Sequence, residues 1–168
     1  TGIAEAVFAR GLSGQAELRA EAQKQDFEGP SGVVPMAEED KVAFINDIRE
    51  ALYASKIVAY AQGFNEITEA AKVYDWKIDL AAVARIWRGG CIIRAKFLNR
   101  ISDAFENGEA NVSLLFAPYF KDAIETAERS WRRVVSRAIT FGIPVPVFAS
   151  SLEYFDGLRS KRLPAALI

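Results

Sequence analysis

Apolar residues recur along this chain mainly at intervals of three and four, the spacing of an amphipathic helix. The segment from Thr1 to about Gln23 follows this spacing and predicts one helix, with Ile3, Val7, Phe8 and Leu12 on one side. Strand-like alternation of apolar and polar residues is nearly absent from the rest of the chain. The pattern therefore predicts an all-α fold in which successive helices pack as a bundle.

A loop rich in glycine and proline, QDFEGPSGVVP, follows the first helix. From about Glu38 to Tyr74 the chain has no proline and only one glycine, Gly63, which predicts one long helix. Its middle, LYASKIVAYAQGF, is apolar and nearly free of charge, which indicates burial on most faces. We expect this helix to run through the centre of the domain. Its apolar contacts are predicted to come from Phe44, Ile45, Ile48, Leu52, Ile57 and Val58.

Shorter helices are predicted in the remaining chain. Asp79 is a favourable N-cap, because its carboxylate can accept hydrogen bonds from the unpaired amides that open LAAVARIW. Gly89 and Gly90 end that helix. Further helices are predicted from Cys91 to about Phe105, from Pro118 to about Phe141, and from Phe148 to about Leu158.

Length and composition indicate one globular domain. The 168 residues are 51% hydrophobic, enough for a single helical domain with its own core over residues 1–168. A net charge of -1 gives no overall reason to expect nucleic acid or a membrane as partner. No apolar run reaches the roughly 18 residues that span a bilayer, and the N-terminus does not follow the pattern of a signal peptide. A cytoplasmic protein is therefore expected.

The chain has no histidine and one cysteine, Cys91, which removes the commonest general base and the usual zinc ligands. Cys91 lies in IWRGGCIIRAKF, between Arg88 and Arg94. The glycine pair does not match a nucleotide-binding loop, because no strand precedes it. We interpret the segment as a turn between two helices, with Cys91 packed inside and the arginines bracing the turn. The alternative is a reactive thiol in an electropositive setting.

Lys56 lies in the most apolar part of the predicted long helix. Burial there would lower the pKa of its amine and make it a candidate base. The alternative is that the stem of the side chain packs on the core while the ammonium reaches water, Asp47 or Glu50.

An arginine cluster follows in the helix predicted to begin at Pro118. Glu125 and Glu128 lie one turn before Arg129 and Arg132, so each is placed to form a salt bridge on a solvated helix face. An anion site is the alternative, since guanidinium groups bind phosphate oxygens in pairs. The cluster sets Arg129, Arg133 and Arg137 at four-residue intervals.

Longer strings of the sequence resemble a known family, the C-terminal helical domain of decarboxylating 6-phosphogluconate dehydrogenases. The likeness covers nearly the whole chain in the family's order. The strings are EAVFAR, YASKIVAYAQGF, IWRGGCIIRAKFLNRISDAF, SWRRVVSRAITFGIPVPVF and SLEYFDGLRSKRLPAALI.

The resemblance implies an NADP-linked enzyme of the pentose phosphate route that needs no metal. Such an enzyme oxidises 6-phosphogluconate, releases carbon dioxide and yields ribulose 5-phosphate. A lysine acts as base, a glutamate acts as the later acid, an N-terminal Rossmann domain binds NADP, and a homodimer completes the substrate pocket.

The family groups with those roles precede Thr1 or follow Ile168, so we expect this chain to be a fragment with no catalytic residues of its own. One substrate contact does transfer. Arg10, in EAVFAR, matches the arginine that binds the substrate phosphate; without the resemblance it reads as a surface arginine. Two rival interpretations are a non-catalytic helical interaction module and a phosphate-binding protein built on the arginine cluster.

Overall fold

The computed structural model describes residues 2–30, 32–33, 35–93 and 95–164. Over these residues the regular structure is helical and contains no strand, which confirms the predicted all-α class. No helix in this described part of the chain has the length and apolar character needed to cross a membrane. Helix α1 spans Gly2–Gly14, α2 Ala16–Gln23, α3 Glu38–Val73, α4 Leu80–Arg88, α5 Leu98–Glu106, α6 Pro118–Thr140 and α7 Pro146–Leu158, and a 3₁₀ turn spans Leu114–Phe116.

The chain divides into two compact units, which we describe separately. Unit 1 comprises Thr1–Ser55 and Ala127–Ile168, and unit 2 comprises Lys56–Thr126. Helices α3 and α6 each supply residues to both units. A single helical domain over residues 1–168 stays a prediction.

Unit 1 is built around Trp131 of α6, whose side chain is fully buried. Its indole N–H donates to the carbonyl oxygen of Phe148 in α7 at 3.1 Å. Its ring stacks on Phe155, with the two centroids 6.4 Å apart. These contacts fix α7, against which α1 packs. The predicted apolar side of α6 also buries Val134, Val135 and Ala138.

Unit 2 has an aromatic core joined to a polar link between two helices. Phe97 is buried just before α5 and lies edge-on to Tyr60 of α3, with their ring centroids 5.0 Å apart. Helices α4 and α5 pack against each other. Arg85 of α4 donates to the buried Ser102 hydroxyl of α5 at 3.0 Å and also to the carboxylate of Glu106. The guanidinium therefore ties α4 to two successive turns of α5.

The N-terminal segment differs from the single helix predicted from Thr1 to Gln23, because the helix breaks at Gln15. Gln15 has φ −92° and ψ 62°, which is not helical geometry. Gly14, directly before it, favours the break because glycine is a poor helix former. Thr1 itself lies outside the described residues. The four apolar residues assigned to one side of this helix are more than half exposed: Ile3, Val7, Phe8 and Leu12.

The long helix predicted from Glu38 to Tyr74 is confirmed as α3, which ends one residue earlier. Burial on most faces of its middle, residues 52–64, is confirmed except at Leu52, Lys56 and Ala59, which are exposed. The apolar contacts predicted for Ile45, Ile48 and Leu52 are wrong, because these side chains are exposed. Ala54 and Ile57 have no exposed surface, whereas Leu52 is 54% exposed. Residues spaced by three and four share one side of a helix. In the first half of α3, four apolar residues with this spacing are exposed to solvent. This α3 stripe consists of Val42, Ile45, Ile48 and Leu52.

The helix predicted from Cys91 to Phe105 begins late, because α5 starts only at Leu98. Gly90 has φ 70°, and this left-handed conformation turns the chain out of α4. The Tyr60 hydroxyl donates to the carbonyl oxygen of Ile93 at 2.7 Å. That contact fixes the backbone of the connection in a non-helical path.

The C-terminal helices follow the prediction closely. Helix α6 begins at Pro118 as predicted, and Gly142, with φ 69°, separates it from α7. Helix α7 begins at Pro146, two residues before the predicted Phe148. Proline is favoured in the first turn of a helix, which accounts for the earlier start.

Candidate functional site

Arg10, which the family resemblance assigns to substrate binding, lies in the third turn of α1. Its side chain is exposed, and its guanidinium has no ion pair or hydrogen bond with any other residue that the structure describes. The less exposed positions of α1 are Gly2, Glu5 and Ala9, on the part of the helix that packs toward α7. A guanidinium free in this way can bind a phosphate dianion through two parallel hydrogen bonds.

The end of α1 that follows Arg10 is held by Arg19 of α2. The Arg19 Nη1 donates to the carbonyl oxygens of Leu12 and Ser13, each at 2.7 Å. The amide of Gln15 also donates to the Leu12 oxygen at 3.1 Å. Sequence reasoning missed Arg19, because a contact from α2 back to α1 requires the break at Gln15.

A groove of about 930 Å³ lies beside α1 in unit 1. Phe8 and Leu12 of α1 form one part of its lining, and Ile143 and Val145, before α7, form another. Arg10 is not among the lining residues. A mainly apolar groove does not offer the hydrogen-bonding groups that a phosphorylated sugar acid needs. The groove therefore does not match the phosphate site that the resemblance assigns to Arg10.

Two arginines of the α6 cluster are engaged by other side chains of unit 1. Arg133 donates to both oxygens of Asp47, at 2.8 Å from Nε and 2.5 Å from Nη2. This hydrogen bonding is the main reason that the pKa of the Asp47 carboxyl lies below its usual value. The Arg137 guanidinium lies over the ring of Phe44, 5.2 Å from its centroid. Arg133 and Arg137 are thus engaged within unit 1, whereas Arg129 is exposed and has no hydrogen bond or ion pair with any residue that the structure describes. The cluster is a solvated helix face that is paired only in part.

Of the two salt bridges predicted within α6, one is confirmed. Glu128 and Arg132 lie 3.0 Å apart, one turn from each other. The pairing of Glu125 with Arg129 is wrong, since the Glu125 carboxylate lies 3.8 Å from Lys121. Lys121 and Arg129 are each one helical turn from Glu125, so the i,i+4 rule alone does not choose between them.

The Glu128–Arg132 pair belongs to a larger charge network that includes Asp156 and Arg159. Arg132 donates to both oxygens of Asp156, at 3.0 and 2.5 Å. Arg159 donates to Glu128 and to Asp156, in each case at 3.0 Å from Nη2. The hydrogen bonds from Arg132, and then those from Arg159, lower the pKa of the Asp156 carboxyl. Two cations and two anions offset each other, so this network links α6 to α7 and is not a ligand site.

Lys56 is not a buried amine. Its side chain is exposed, and its Nζ lies 5.6 Å from the ring centroid of Phe97. The solvent-reaching interpretation is therefore confirmed, although Asp47 is bound by Arg133.

Cys91 is half-buried in the connection after α4, so it is packed less completely than expected. The pKa of the Tyr60 phenol is raised, mainly by burial and further by the nearby Cys91. The connection is braced by the Tyr60 hydroxyl on the Ile93 carbonyl. Arg88 is exposed and has no hydrogen bond with any described residue, so its expected bracing of the turn is not seen. Arg94 lies outside the described residues, and its bracing stays a prediction. The described residues contain no group of three or more histidine, cysteine, aspartate or glutamate side chains that could hold a metal ion.

Comparison with known proteins gives a consistent match. The family model of the 6-phosphogluconate dehydrogenase C-terminal domain matches residues 1–168. A Candida albicans 6-phosphogluconate dehydrogenase, decarboxylating, is 48% identical over 168 residues, which is 99% of this chain and 32% of that protein. The Mus musculus protein of the same name is 47% identical over 166 residues, covering 99% of this chain and 34% of that protein.

A solved structure agrees with these relatives. Plasmodium falciparum 6-phosphogluconate dehydrogenase superposes with a TM-score of 0.88 at 38% identity, over 96% of this chain and 34% of that one. That enzyme was determined in its apo form, with its cofactor NADP+ and with its substrate 6-phosphogluconate. The chain spans about a third of the length of these proteins.

Proposed function

Because the chain belongs to the 6-phosphogluconate dehydrogenase family as its C-terminal domain, we propose that it is the helical part of an enzyme with that activity. The enzyme oxidises 6-phosphogluconate, releases carbon dioxide and forms ribulose 5-phosphate while NADP is reduced. The observation that carries this proposal is the match over all 168 residues, together with the TM-score of 0.88 to a structure of that enzyme.

Arg10 binds the phosphate of the substrate in this proposal. The support is its exposed guanidinium on a helix, with no partner among the described residues, and the planar pair of donors that suits phosphate oxygens. Binding at the phosphate holds the far end of the sugar acid and so orients the carbon chain. Arg10 takes no part in proton or hydride transfer.

NADP does not fit the residues of this chain. A dinucleotide fold places the pyrophosphate on a glycine-rich turn between a strand and a helix N-terminus. The described residues contain helices and connections only. The NADP site and the lysine and glutamate that move protons are therefore assigned to an N-terminal segment of the intact protein, and no metal is assigned to the reaction.

The intact enzyme is a cytoplasmic homodimer in this proposal. The α3 stripe supports the need for a covering surface, because four neighbouring apolar side chains on one helix face are rarely left in water. A helical domain that offers such a surface contributes both to subunit contact and to the walls of the substrate pocket.

The test uses the intact protein, purified and supplied with 6-phosphogluconate and NADP. We expect NADPH formation in the unaltered protein and, in Arg10→Ala, a KM for 6-phosphogluconate raised on the order of 100-fold, as expected for losing charge-assisted bonds to a dianion. Lys24→Ala is the matched control, since Lys24 is an exposed cation at the C-cap of α2 that pairs with Glu21.

An intact protein that binds partners but forms no NADPH would favour the alternative, a non-catalytic helical interaction module. A normal KM in Arg10→Ala would remove Arg10 from the phosphate site and leave the family activity in place.

A further inference from the structure

Helix α1 ends on carbonyl groups that have no donors within the helix. The last turn of any α-helix leaves four such oxygens, and their partial negative charge is greatest at the very end. In α1 the last turn contains no basic residue of its own. The oxygens of Leu12 and Ser13 are instead satisfied by the guanidinium of Arg19, both at 2.7 Å.

The last turn of α1 is weak without this outside contact. Gly11 lies in it, and glycine destabilises a helix interior by roughly 1 kcal/mol relative to alanine. Gly14 is the last residue of the helix and has no side chain that could pack against its neighbours. Gly2 is the one buried residue of α1, so packing does little to hold its far end. A short helix of this kind depends on interactions at its ends.

Arg19 is well placed to supply that interaction, because α2 starts at Ala16, only two residues after the end of α1 at Gly14. The Arg19 amide donates to the Gln15 carbonyl at 3.1 Å, so Arg19 is fixed in the first turn of α2. Its side chain then reaches back over the break to α1. Helix α2 has no buried residue, which makes this polar contact a main tie between α2 and α1.

The contact bears on Arg10 through the helix backbone. In an α-helix the amide of residue i bonds to the carbonyl of residue i−4, so Gly14 closes the turn that begins at Arg10. If the last turn opens, Arg10 becomes a terminal residue whose side-chain direction is no longer fixed. We propose that Arg19 is a positioning residue for Arg10: by closing the end of α1, it keeps the Arg10 guanidinium aimed at the substrate phosphate. This inference rests on the proposed function.

Arg19 is not itself assigned to the phosphate. Its Nη1 is committed to two carbonyl oxygens, and its side chain lines the mainly apolar groove on which Arg10 does not lie. Its positive charge also complements the negative end of the α1 dipole. Each of these interactions acts on α1 and none requires contact with substrate.

The experiment measures steady-state kinetics of the intact protein carrying Arg19→Ala or Arg19→Lys, with Lys24→Ala as control. For Arg19→Ala we expect the KM for 6-phosphogluconate to rise about 10-fold, with kcat and the KM for NADP unchanged, as for loss of a contact that orients a binding group. Arg19→Lys keeps a cation and a donor, so it should recover part of the loss. Lys24→Ala should behave like the unaltered protein.

Two readouts separate positioning from general weakening of the fold. In the Arg10→Ala background, Arg19→Ala should add no further rise in KM, because the residue that it positions is already gone. Inhibition by gluconate, which lacks the phosphate, should be the same with and without Arg19→Ala. Circular dichroism of both Arg19 variants reports whether the helices are retained.

An unchanged KM in a folded Arg19→Ala protein would overturn the inference while leaving the proposed function intact. An equal rise in KM with and without Arg10, or an equal loss of gluconate inhibition, would also overturn it, since either result marks a purely structural role. If the unaltered intact protein forms no NADPH from 6-phosphogluconate, the proposed function fails and the inference fails with it.

Discussion

Asp156 is the residue through which pH should act most clearly on the charge network of unit 1. Hydrogen bonds from Arg132 and Arg159 hold the pKa of its carboxyl below the ordinary value of 3.8. The folded state therefore binds fewer protons there than the unfolded state. The stabilisation is fully present above about pH 4 to 5 and is lost as pH falls through the lowered pKa.

We predict that Asp156→Asn lowers the free energy of unfolding at pH 7 by about 1 kcal/mol, a small value because the ion pairs are partly exposed and screened by solvent. Urea unfolding of the 168-residue chain between pH 3 and pH 7 measures this. The difference between variant and parent should shrink toward pH 3. A difference that stays constant over the whole range would show that the carboxylate charge is not the source of the stabilisation.

At the same scale, one of the two local pairs predicted in α6 is present, whereas no pair between distant residues was predicted. The Glu128–Arg132 pair follows from helix spacing and is present at 3.0 Å. The partner that Arg132 finds in Asp156 is 24 residues away in sequence. Helix spacing relates residues within one helix only. The pairing of Arg132 with Asp156 depends on how α6 and α7 pack, so it could be found only from the structure. Arg19 was missed for the same reason, since its partners depend on a break in the chain.

At the scale of elements, the turn after α4 depends on one glycine of its pair. Gly90 has φ 70°, whereas Gly89 has φ −119° and ψ 135°, an extended conformation that valine favours. A Cβ at either position would meet no atom within 4 Å. Backbone conformation alone therefore distinguishes the two sites.

We predict that Gly90→Val destabilises the chain by about 1 to 2 kcal/mol, the cost of a left-handed conformation for a residue with a Cβ. Gly89→Val, the matched control, should leave stability nearly unchanged. Thermal unfolding followed by circular dichroism compares the two. Equal midpoints for both variants would mean that the turn can rearrange without cost.

Helix boundaries were predictable where a residue carries a clear capping signal. The Asp79 carboxylate accepts from the Ala82 amide at 3.0 Å, as its position before an apolar helix suggested. Pro118 likewise opens α6. The late start at Leu98 lacks such a signal, because it depends on the contact that Tyr60 makes from α3. The break at Gln15 is signalled only by Gly14, and a glycine alone does not decide a break, since Gly63 lies inside α3.

At the scale of the whole molecule, the all-α class and the long helix followed from residue spacing, but burial did not. Spacing identifies the apolar side of a helix without saying what covers it. The spacing of the α3 stripe and of the apolar residues of α1 is that of a buried helix face, but these side chains are exposed to solvent in this chain. A chain that spans about a third of its relatives' length leaves room for covering surfaces elsewhere in the intact protein.

We predict that the 168-residue chain alone does not turn over substrate, because the proposed function places the reactive groups elsewhere in the intact protein. In the proposed function this chain supplies a phosphate-binding arginine. The NADP site and the lysine and glutamate that transfer protons lie in other segments of the intact protein. Incubating the purified chain with 6-phosphogluconate and NADP should give no sustained rise in absorbance from NADPH above a blank, whereas the intact protein should give one under the same conditions. Circular dichroism and a cooperative unfolding transition must first show that the chain is folded, because an unfolded sample would be inactive for a trivial reason. Sustained NADPH formation by the folded chain would contradict the assignment, since it would require a cofactor site and proton-transfer groups within these helices.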